Sequence, residues 1–406
     1  MMLDIALIKD KDLLKKELSK KGYDVRKIDL LDEVYADLKR VKSELEILRA
    51  KKNQILGLSD EAKILKSNIA ELEKSFSKLE TEYNLLMIDI PNLPDIDAPV
   101  GKDETENVVI YEAKDFYKCQ VQNPLPHWDV GAKLGIIDIE TASKISGSMF
   151  AMYKGKGAKL LRALVNYCLS IHECKYLEVI PPHMVTSQSL TYTGHLPKFG
   201  DDQFKCSQDD LYLIPTAEVP LTASFANTAF KGEELPKRVM GYSVSFRREA
   251  GSAGKDTRGL QRLHEFHKVE LLKIARPDQC KAELNDMLED CLRIVKDLKL
   301  QYRILDLCTG DMGDKYARCY DIEVYSPALK KWLEVSSVGH FSDYQARRAN
   351  IKFIDADGKR KVAYTLNGSG MATPRIIAAI LETYQLPNGS VAVPDVLKPF
   401  MGCKTL

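Results

Sequence analysis

The chain has 406 residues, with 59 Lys+Arg against 58 Asp+Glu, a formal net charge of +1, 45% hydrophobic and 29% charged residues. That is the balance of a globular protein of two or three domains. It excludes binding to nucleic acid through a uniform positive excess, so any RNA contact must be local. No stretch approaches the roughly 18 apolar residues of a membrane span, which argues against a membrane partner.

The segment Met1–Asp12 has neither the apolar run of a signal peptide nor the Arg/Ser-rich character of a transit peptide, and a cytoplasmic protein is expected. From Leu31 on, apolar residues recur at steps of three and four: Leu31, Val34, Leu38, Val41, Leu45, Leu48 and Ile55, with Lys52 filling the missed position. A second series runs Leu65, Ile69, Leu72, Phe76, Leu79, Tyr83 and Leu86. Both are heptad seams. Gly57 can end the first helix, and Ser59 or Asp60 can cap the second. So short a break makes the helices antiparallel, and each seam of about 25 residues predicts a hairpin roughly 35–40 Å long. Neither stripe can be buried alone. The hairpin by itself fits a dimerisation coiled coil or a lever that touches a large partner. A basic set on the first helix (Lys39, Arg40, Lys42, Arg49, Lys51, Lys52) could meet phosphates, but acidic residues interleave with it, as on a solvated face.

Pro91, Pro94 and Pro99 then deny helix continuation and mark a linker. This predicts a helical domain over 1–95 and a second domain over 96–406. In the latter a helix is predicted at 157–174. Short β-rich runs follow at Tyr176–Ile180, Leu211–Ile214, Val239–Phe246, Leu263–Ile274, Tyr302–Leu307, Cys319–Tyr325, Trp332–Val335 and Lys361–Leu366. Helices separate only some of them, so the expected class is α+β, a mainly antiparallel sheet flanked by helices. No GxGxxG or GxxxxGK[ST] loop is present. The nine cysteines include no CxxC pair, and Cys280/Cys291 and Cys308/Cys319, each eleven apart, match no metal spacing. They read as free thiols of a reducing compartment.

Three segments carry candidate chemistry. Phe246 to Glu270 reads as a hairpin with a long polar tip (Ser252, Gly254, Lys255, Asp256, Thr257, Arg258, Gly259). Arg247 and Glu249, two apart, would share a strand face, as would Phe266, Lys268 and Glu270. Such a face is either a surface ion-pair ladder or a place to hold a phosphate, a base edge and an ammonium, since a guanidinium donates two parallel hydrogen bonds. Asn367-Gly368-Ser369-Gly370 leads through Thr373-Pro374-Arg375 into an apolar helix. This is either a plain strand–turn–helix connection or a site where glycines admit a ligand and a helix N-terminus attracts an anion. Glu334 and Ser337, within Glu334-Val335-Ser336-Ser337, offer hard oxygens suited to Mg²⁺.

In this order the segments resemble the signature motifs of class II aminoacyl-tRNA synthetases, and specifically the seryl-tRNA synthetase family. Tyr176-Leu177-Glu178-Val179-Ile180-Pro181-Pro182 is similar to the dimer-forming motif. Phe246–Glu270, with Glu249-Ala250-Gly251-Ser252, is similar to the second motif, and Asn367–Arg375 to the third. Pro215-Thr216-Ala217-Glu218-Val219-Pro220 resembles the family's serine loop. The likeness spans essentially the whole chain, including the N-terminal hairpin.

The resemblance implies a homodimer that activates serine with ATP and Mg²⁺ and transfers it to the 3′ end of tRNA(Ser), a selenocysteine tRNA being a further acceptor. It implies Arg247 on the α-phosphate and the serine carboxylate, and Arg375 on the γ-phosphate. Phe266 would stack on adenine with Glu249 near its amino group, and Arg248, Val335 and Ser336 would lie beside the nucleotide. Glu334 and Ser337 would take Mg²⁺; Thr216, Ala217, Glu218, Glu270 and Ser369 would form the serine pocket. The hairpin becomes a tRNA-binding arm. Where the family usually has Cys-Ser-Asn after Ser337, this chain has Val338-Gly339-His340. The family's Gly-Thr-Gly-Gln-Leu-Pro-Lys-Phe is here Tyr192-Thr193-Gly194-His195-Leu196-Pro197-Lys198-Phe199, Arg248 replaces a residue that is often small, and the arm is short. A non-catalytic paralogue, or one that loads a carrier protein, is the alternative; the first should have lost Arg247, Arg375 or Glu334, and the second the arm.

Overall fold

The computed structural model describes residues 10–54, 60–251 and 258–406. Gly57, Ser59, Ile55 and the hairpin-tip residues 252–257 lie outside them. The chain divides into two compact units between Leu93 and Pro94.

In the first unit, α1 (Lys11–Ser19) is capped by the Asp10 side chain, which accepts from the Leu13 N–H. Two long helices follow, α2 (Arg26–Gln54, 29 residues) and α3 (Asp60–Asp89, 30 residues), each about 43–45 Å at 1.5 Å per residue. Lys27 pairs with Asp89 at 2.6 Å and Arg49 with Glu73 at 2.7 Å, so the two helices run antiparallel. Their seam is made by the expected residues: Val41, Leu45 and Ile69 are buried, with Leu48, Leu72, Phe76 and Leu79 packed around them. At the base, Leu14 and Leu18 of α1 join Ile28, Leu31, Met87 and Ile90 in a second small core. The ion pairs are exposed and contribute little; apolar burial holds the pair together.

The second unit is built on an eight-stranded sheet. Its strands are β1 (Val108–Glu112), β2 (Leu177–Glu178), β3 (Lys237–Phe246), β4 (Glu265–Ala275), β5 (Tyr302–Asp306), β6 (Arg318–Ser326), β7 (Lys331–His340) and β8 (Tyr364–Ala372). The order is β1-β5-β6-β7-β8-β4-β3-β2, antiparallel throughout except for β2 on β3, which bears out the expected fold class. The helices that position the site are α4 (His127–Lys133), α5 (Lys156–His172), α6 (Glu218–Ala223), α7 (Cys280–Asp297), α8 (Tyr344–Ala349) and α9 (Thr373–Thr383). The main core contains Leu160, Leu164 and Cys168 of α5, Met287 and Cys291 of α7, Ile376 and Ile380 of α9, and Val269 and Leu271 of β4. Alternate β4 residues face the other way, where the cavity lies.

Two expectations are corrected. The β-rich run Lys361–Leu366 is split between a short strand, Arg360–Val362, and β8, and Asn367–Gly370 lies inside β8 rather than forming a turn between strand and helix. Gly368 serves packing: a Cβ there would stand 2.8 Å from Cys291 Sγ and 3.2 Å from Met287, so glycine lets α7 press against the sheet.

Candidate active site

A cavity of about 350 Å³ opens on the face of β4, β7 and β8. It is lined by Thr216, Glu218, Arg247, Glu249, Phe266, Glu334, Val335, Ser337, Ser369 and Arg375, all singled out in the sequence, and also by His195, Gln261, Arg262, Lys268, Lys315, Tyr316 and Asn367. Ala217, Arg248, Ser336 and Glu270 do not line it. Ala217 is fully buried, Ser336 Oγ donates to the Ser369 carbonyl at 2.6 Å, and the Arg248 side chain is exposed elsewhere.

Glu270 lies beneath the floor, fully buried. Thr216 Oγ1 donates to its Oε2 at 2.5 Å, Asn367 Nδ2 donates to its Oε1 at 2.9 Å, and Lys268 Nζ pairs with Oε2. Glu218, at 3% exposure, is clamped by Lys315: the ammonium reaches both carboxylate oxygens at 2.9 Å, and Gln345 Nε2 donates at 2.7 Å. Burial alone would raise the Glu218 carboxyl, but the Lys315 charge, with the hydrogen bonds from Lys315 and Gln345, more than offsets it, and the net shift is downward. Lys315 also lies over the Tyr316 and Phe341 rings, 5.5 and 5.4 Å from their centroids. His195 Nδ1 meets Thr193 Oγ1 at 2.8 Å. Burial, reinforced by the Lys315 charge, pushes this imidazole down to about 3, so it is neutral at physiological pH.

The other half of the cavity is an arginine–carboxylate set. β3 ends at Phe246, so Arg247 and Glu249 are held by the segment beyond it, where Glu249 takes φ +51°. The Arg247 guanidinium sits 5.2 Å from the Phe266 ring centroid, and its Nε donates to the Pro215 carbonyl at 3.3 Å. Glu249 pairs with Arg262 at 2.7 Å. Arg375, in the first turn of α9, donates through Nη1 to the Glu334 carbonyl at 2.6 Å and through Nε to the Gln261 carbonyl at 3.3 Å; the Glu334 carboxylate lies 3.4 Å away.

Val335 is an extra residue in the β6–β7 register, where Ile322 faces Ser336 and Glu323 faces Glu334. This bulge turns Glu334 and Ser337 to one side, and Ser337 Oγ donates to Glu334 Oε1 at 3.2 Å. Asp321, opposite Ser337, joins them. Burial and the nearby Glu334 charge raise its carboxyl far above the usual carboxylate range, and its Oδ1 is buried with no hydrogen-bond partner among the described residues. Burial would raise Glu334 too, but Arg375 and Arg247 bring it below its ordinary value. Two hard oxygens at the cavity wall with an orphaned carboxylate oxygen behind them fit Mg²⁺, which takes few protein ligands and keeps waters and substrate phosphates.

Lys315, Tyr316 and His195 were not among the residues read as functional. His195 was visible only as a departure from a motif; Lys315 lies in an irregular stretch between β5 and β6, and no local spacing announces it.

An antiparallel sheet carrying one arginine after a hairpin strand and a second at the start of a helix behind it defines a class II aminoacyl-tRNA synthetase core. Residues 203–384 match the family model described as the tRNA synthetase class II core domain (G, H, P, S and T). The chain is 43% identical to a serine–tRNA ligase of Gloeothece citriformis over 98% of both chains, and 42% identical to that of Dehalococcoides mccartyi over 99% of both. Its fold superposes on the crystal structure of seryl-tRNA synthetase from Pyrococcus horikoshii complexed with ATP with a TM-score of 0.90 and 33% identity, covering 100% of this chain and 99% of that one. The chain belongs to the seryl-tRNA synthetase (serine–tRNA ligase) family.

Proposed function

We propose that this chain activates serine with ATP and transfers the seryl group to tRNA(Ser), and that both steps occur in the cavity described above. In the first step a serine carboxylate oxygen attacks the α-phosphorus. The bond from that phosphorus to the β-phosphate oxygen breaks, and pyrophosphate leaves with its electron pair. In the second, a 3′-terminal ribose hydroxyl of the tRNA attacks the seryl carbonyl, AMP departs, and the hydroxyl proton is lost. Neither step needs a protein nucleophile; positioning and electrostatics carry the rate.

Arg247 is suited to bridge the serine carboxylate and the α-phosphate, and Arg375 to meet the γ-phosphate. Phe266 offers a face for adenine, beside which Glu249 can accept from the exocyclic amine. Glu334 and Ser337 would hold Mg²⁺, which when bound supplies positive charge to the phosphates. Thr216, Glu218 and Ser369 line the end where serine would sit, with Glu270 and Ala217 beneath. A pocket built to hydrogen-bond a hydroxyl rejects alanine, because the missing group leaves buried polar atoms unpaired. The antiparallel helices of the first unit, residues 1–93, are the proposed tRNA-binding arm, and the assembly is a cytoplasmic homodimer.

The observation that carries the reading is the meeting of two arginines, a paired Glu334–Ser337 and the Thr216–Glu218 loop on one cavity. A non-catalytic paralogue has no reason to keep that set. Amino-acid-dependent ATP–pyrophosphate exchange with Mg²⁺, run across all twenty amino acids without tRNA, tests it. Exchange with serine alone is expected; none with any amino acid would promote the non-catalytic reading.

A further inference from the structure

Two fully buried groups behind the cavity have no part in that chemistry: His127, the first residue of α4, and Glu382, in the last turn of α9. Glu382 Oε1 accepts from the His127 ring Nδ1 at 2.7 Å and from the His127 backbone N–H at 3.1 Å, and Oε2 accepts from Ser326 Oγ. The other ring nitrogen, Nε2, accepts the Leu260 backbone N–H at 2.9 Å. Since Nε2 accepts, Nδ1 carries the ring proton and donates it to Glu382. Gly259, at φ +71°, presses against this ring: a Cβ there would stand 2.3 Å from Nε2 and 2.7 Å from Trp128. The contact thus requires glycine twice, for its backbone angle and for its missing side chain.

Leu260, Gln261, Arg262 and Leu263 are the segment of the cavity wall that leads into β4. Arg375 donates to the Gln261 carbonyl, and Arg375 and Glu382 sit on the same helix, seven residues or about 10 Å apart. Helix α9 therefore grips one short piece of backbone at two points. It holds the Gln261 carbonyl directly through Arg375, and the Leu260 N–H indirectly through Glu382 and His127.

We propose that His127 is a positioning residue for the nucleotide half of the site: with Glu382 it fixes the 260–263 wall in register with Arg375, so that the adenine face and the phosphate-binding guanidinium keep their spacing. The inference rests on the proposed nucleotide role of Arg375. A merely structural histidine would affect stability, or both substrates alike; a register clamp acts on ATP.

The test is ATP–pyrophosphate exchange by the full chain, with direct ATP binding by calorimetry and a thermal melt beside it. His127→Ala should raise KM and Kd for ATP about tenfold or more and leave KM for serine within about twofold. Glu382→Gln keeps a carbonyl acceptor for the Nδ1 proton and should stay within about threefold of the parent for ATP. Gly259→Ala, which pushes the ring from the other side, should reproduce the ATP defect of His127→Ala, and it reads the clamp should that variant not fold. ATP affinity within twofold of the parent in folded His127→Ala or Gly259→Ala, or KM raised equally for ATP and serine, would overturn the proposal. An unmutated chain that exchanges with no amino acid would instead sink the proposed function, and the calorimetric arm would still decide the clamp.

Discussion

Lys315→Met separates charge pairing from shape inside the cavity. Methionine keeps an unbranched stem over Tyr316 and Phe341 and deletes the ammonium that spans both oxygens of Glu218. Glu218 is 3% exposed and would keep Gln345 as a side-chain donor. Removing one partner of a buried pair costs about 3–5 kcal/mol. The Lys315 side chain is itself 17% exposed, so water can partly replace it, and a loss near the lower end, about 3 kcal/mol, is expected. Glu218→Gln/Lys315→Met removes both charges at nearly constant volume and should recover most of that loss, a coupling of about 2 kcal/mol. Urea denaturation followed by tryptophan fluorescence reads the correct unit, because both tryptophans, Trp128 and Trp332, lie in residues 94–406. Exchange kinetics should then find the double variant stable but poor in serine use. A single variant within about 1 kcal/mol of the parent, or a double variant no more stable than the single, would refute the argument that Lys315 neutralises a buried Glu218.

Three further outcomes are expected. Arg375→Ala should lower kcat/KM for ATP in the exchange assay by about 10²–10³, the usual cost of losing one preorganised charge-stabilising group; a loss under tenfold would remove Arg375 from its proposed role. Deleting residues 1–93 should abolish tRNA charging while adenylate formation stays within about threefold; parallel loss of both would tie the first unit to the catalytic fold. His172 is 1% exposed, its Nε2 has no partner among the described residues, and burial pushes it down to about 4. Its folded pKa lies below the unfolded value, so the unfolded state binds the extra proton. The stability it leaves intact above about pH 6.5 is lost as pH falls toward 4, about 2 kcal/mol by pH 5 at 1.36 kcal/mol per unit. His172→Phe should lose correspondingly less between pH 7 and 5 in urea midpoints, and an identical loss in both proteins would dismiss this residue as an acid-sensitive site.

The parts of the molecule legible in the sequence are those set by local periodicity. The seams of α2 and α3 follow from apolar steps of three and four, and Leu31, Val34, Val41, Leu45 and Ile69 are buried where that spacing puts them. The strand–helix order gave the antiparallel class for the same reason. What local pattern cannot carry is register. The bulge at Val335 turns Glu334 and Ser337 to one face, and nothing in Glu334-Val335-Ser336-Ser337 foretells it, because the extra residue exists only relative to β6. Glu249 reaches the cavity through a left-handed backbone beyond the strand, not by alternation along it. Lys315 and Glu218, 97 residues apart, become partners only when β5, β6 and the Pro215–Pro220 segment are folded together.

The same long-range logic accounts for the departure at Val338-Gly339-His340. None of the three lines the cavity. Val338 is fully buried between Tyr320 and Gly368, inside the sheet. A Cβ on Gly339 would stand 2.5 Å from the Arg318 carbonyl oxygen and 2.5 Å from the Tyr316 ring, so glycine is what admits that ring. Tyr316 stacks on Phe341 at 4.7 Å, and the two aromatics form the platform beneath the Lys315 ammonium. His340 Nε2 meets Asp95 at 3.1 Å, which holds that carboxyl down at about 2 and fastens the linker to β7. The family's serine at position 339 would collide with Tyr316, and without Tyr316 the lysine that neutralises Glu218 would lose its support. The glycine therefore belongs to one packed set, Gly339–Tyr316–Lys315–Glu218, at the Glu218 end of the cavity, away from Arg375 and Glu334.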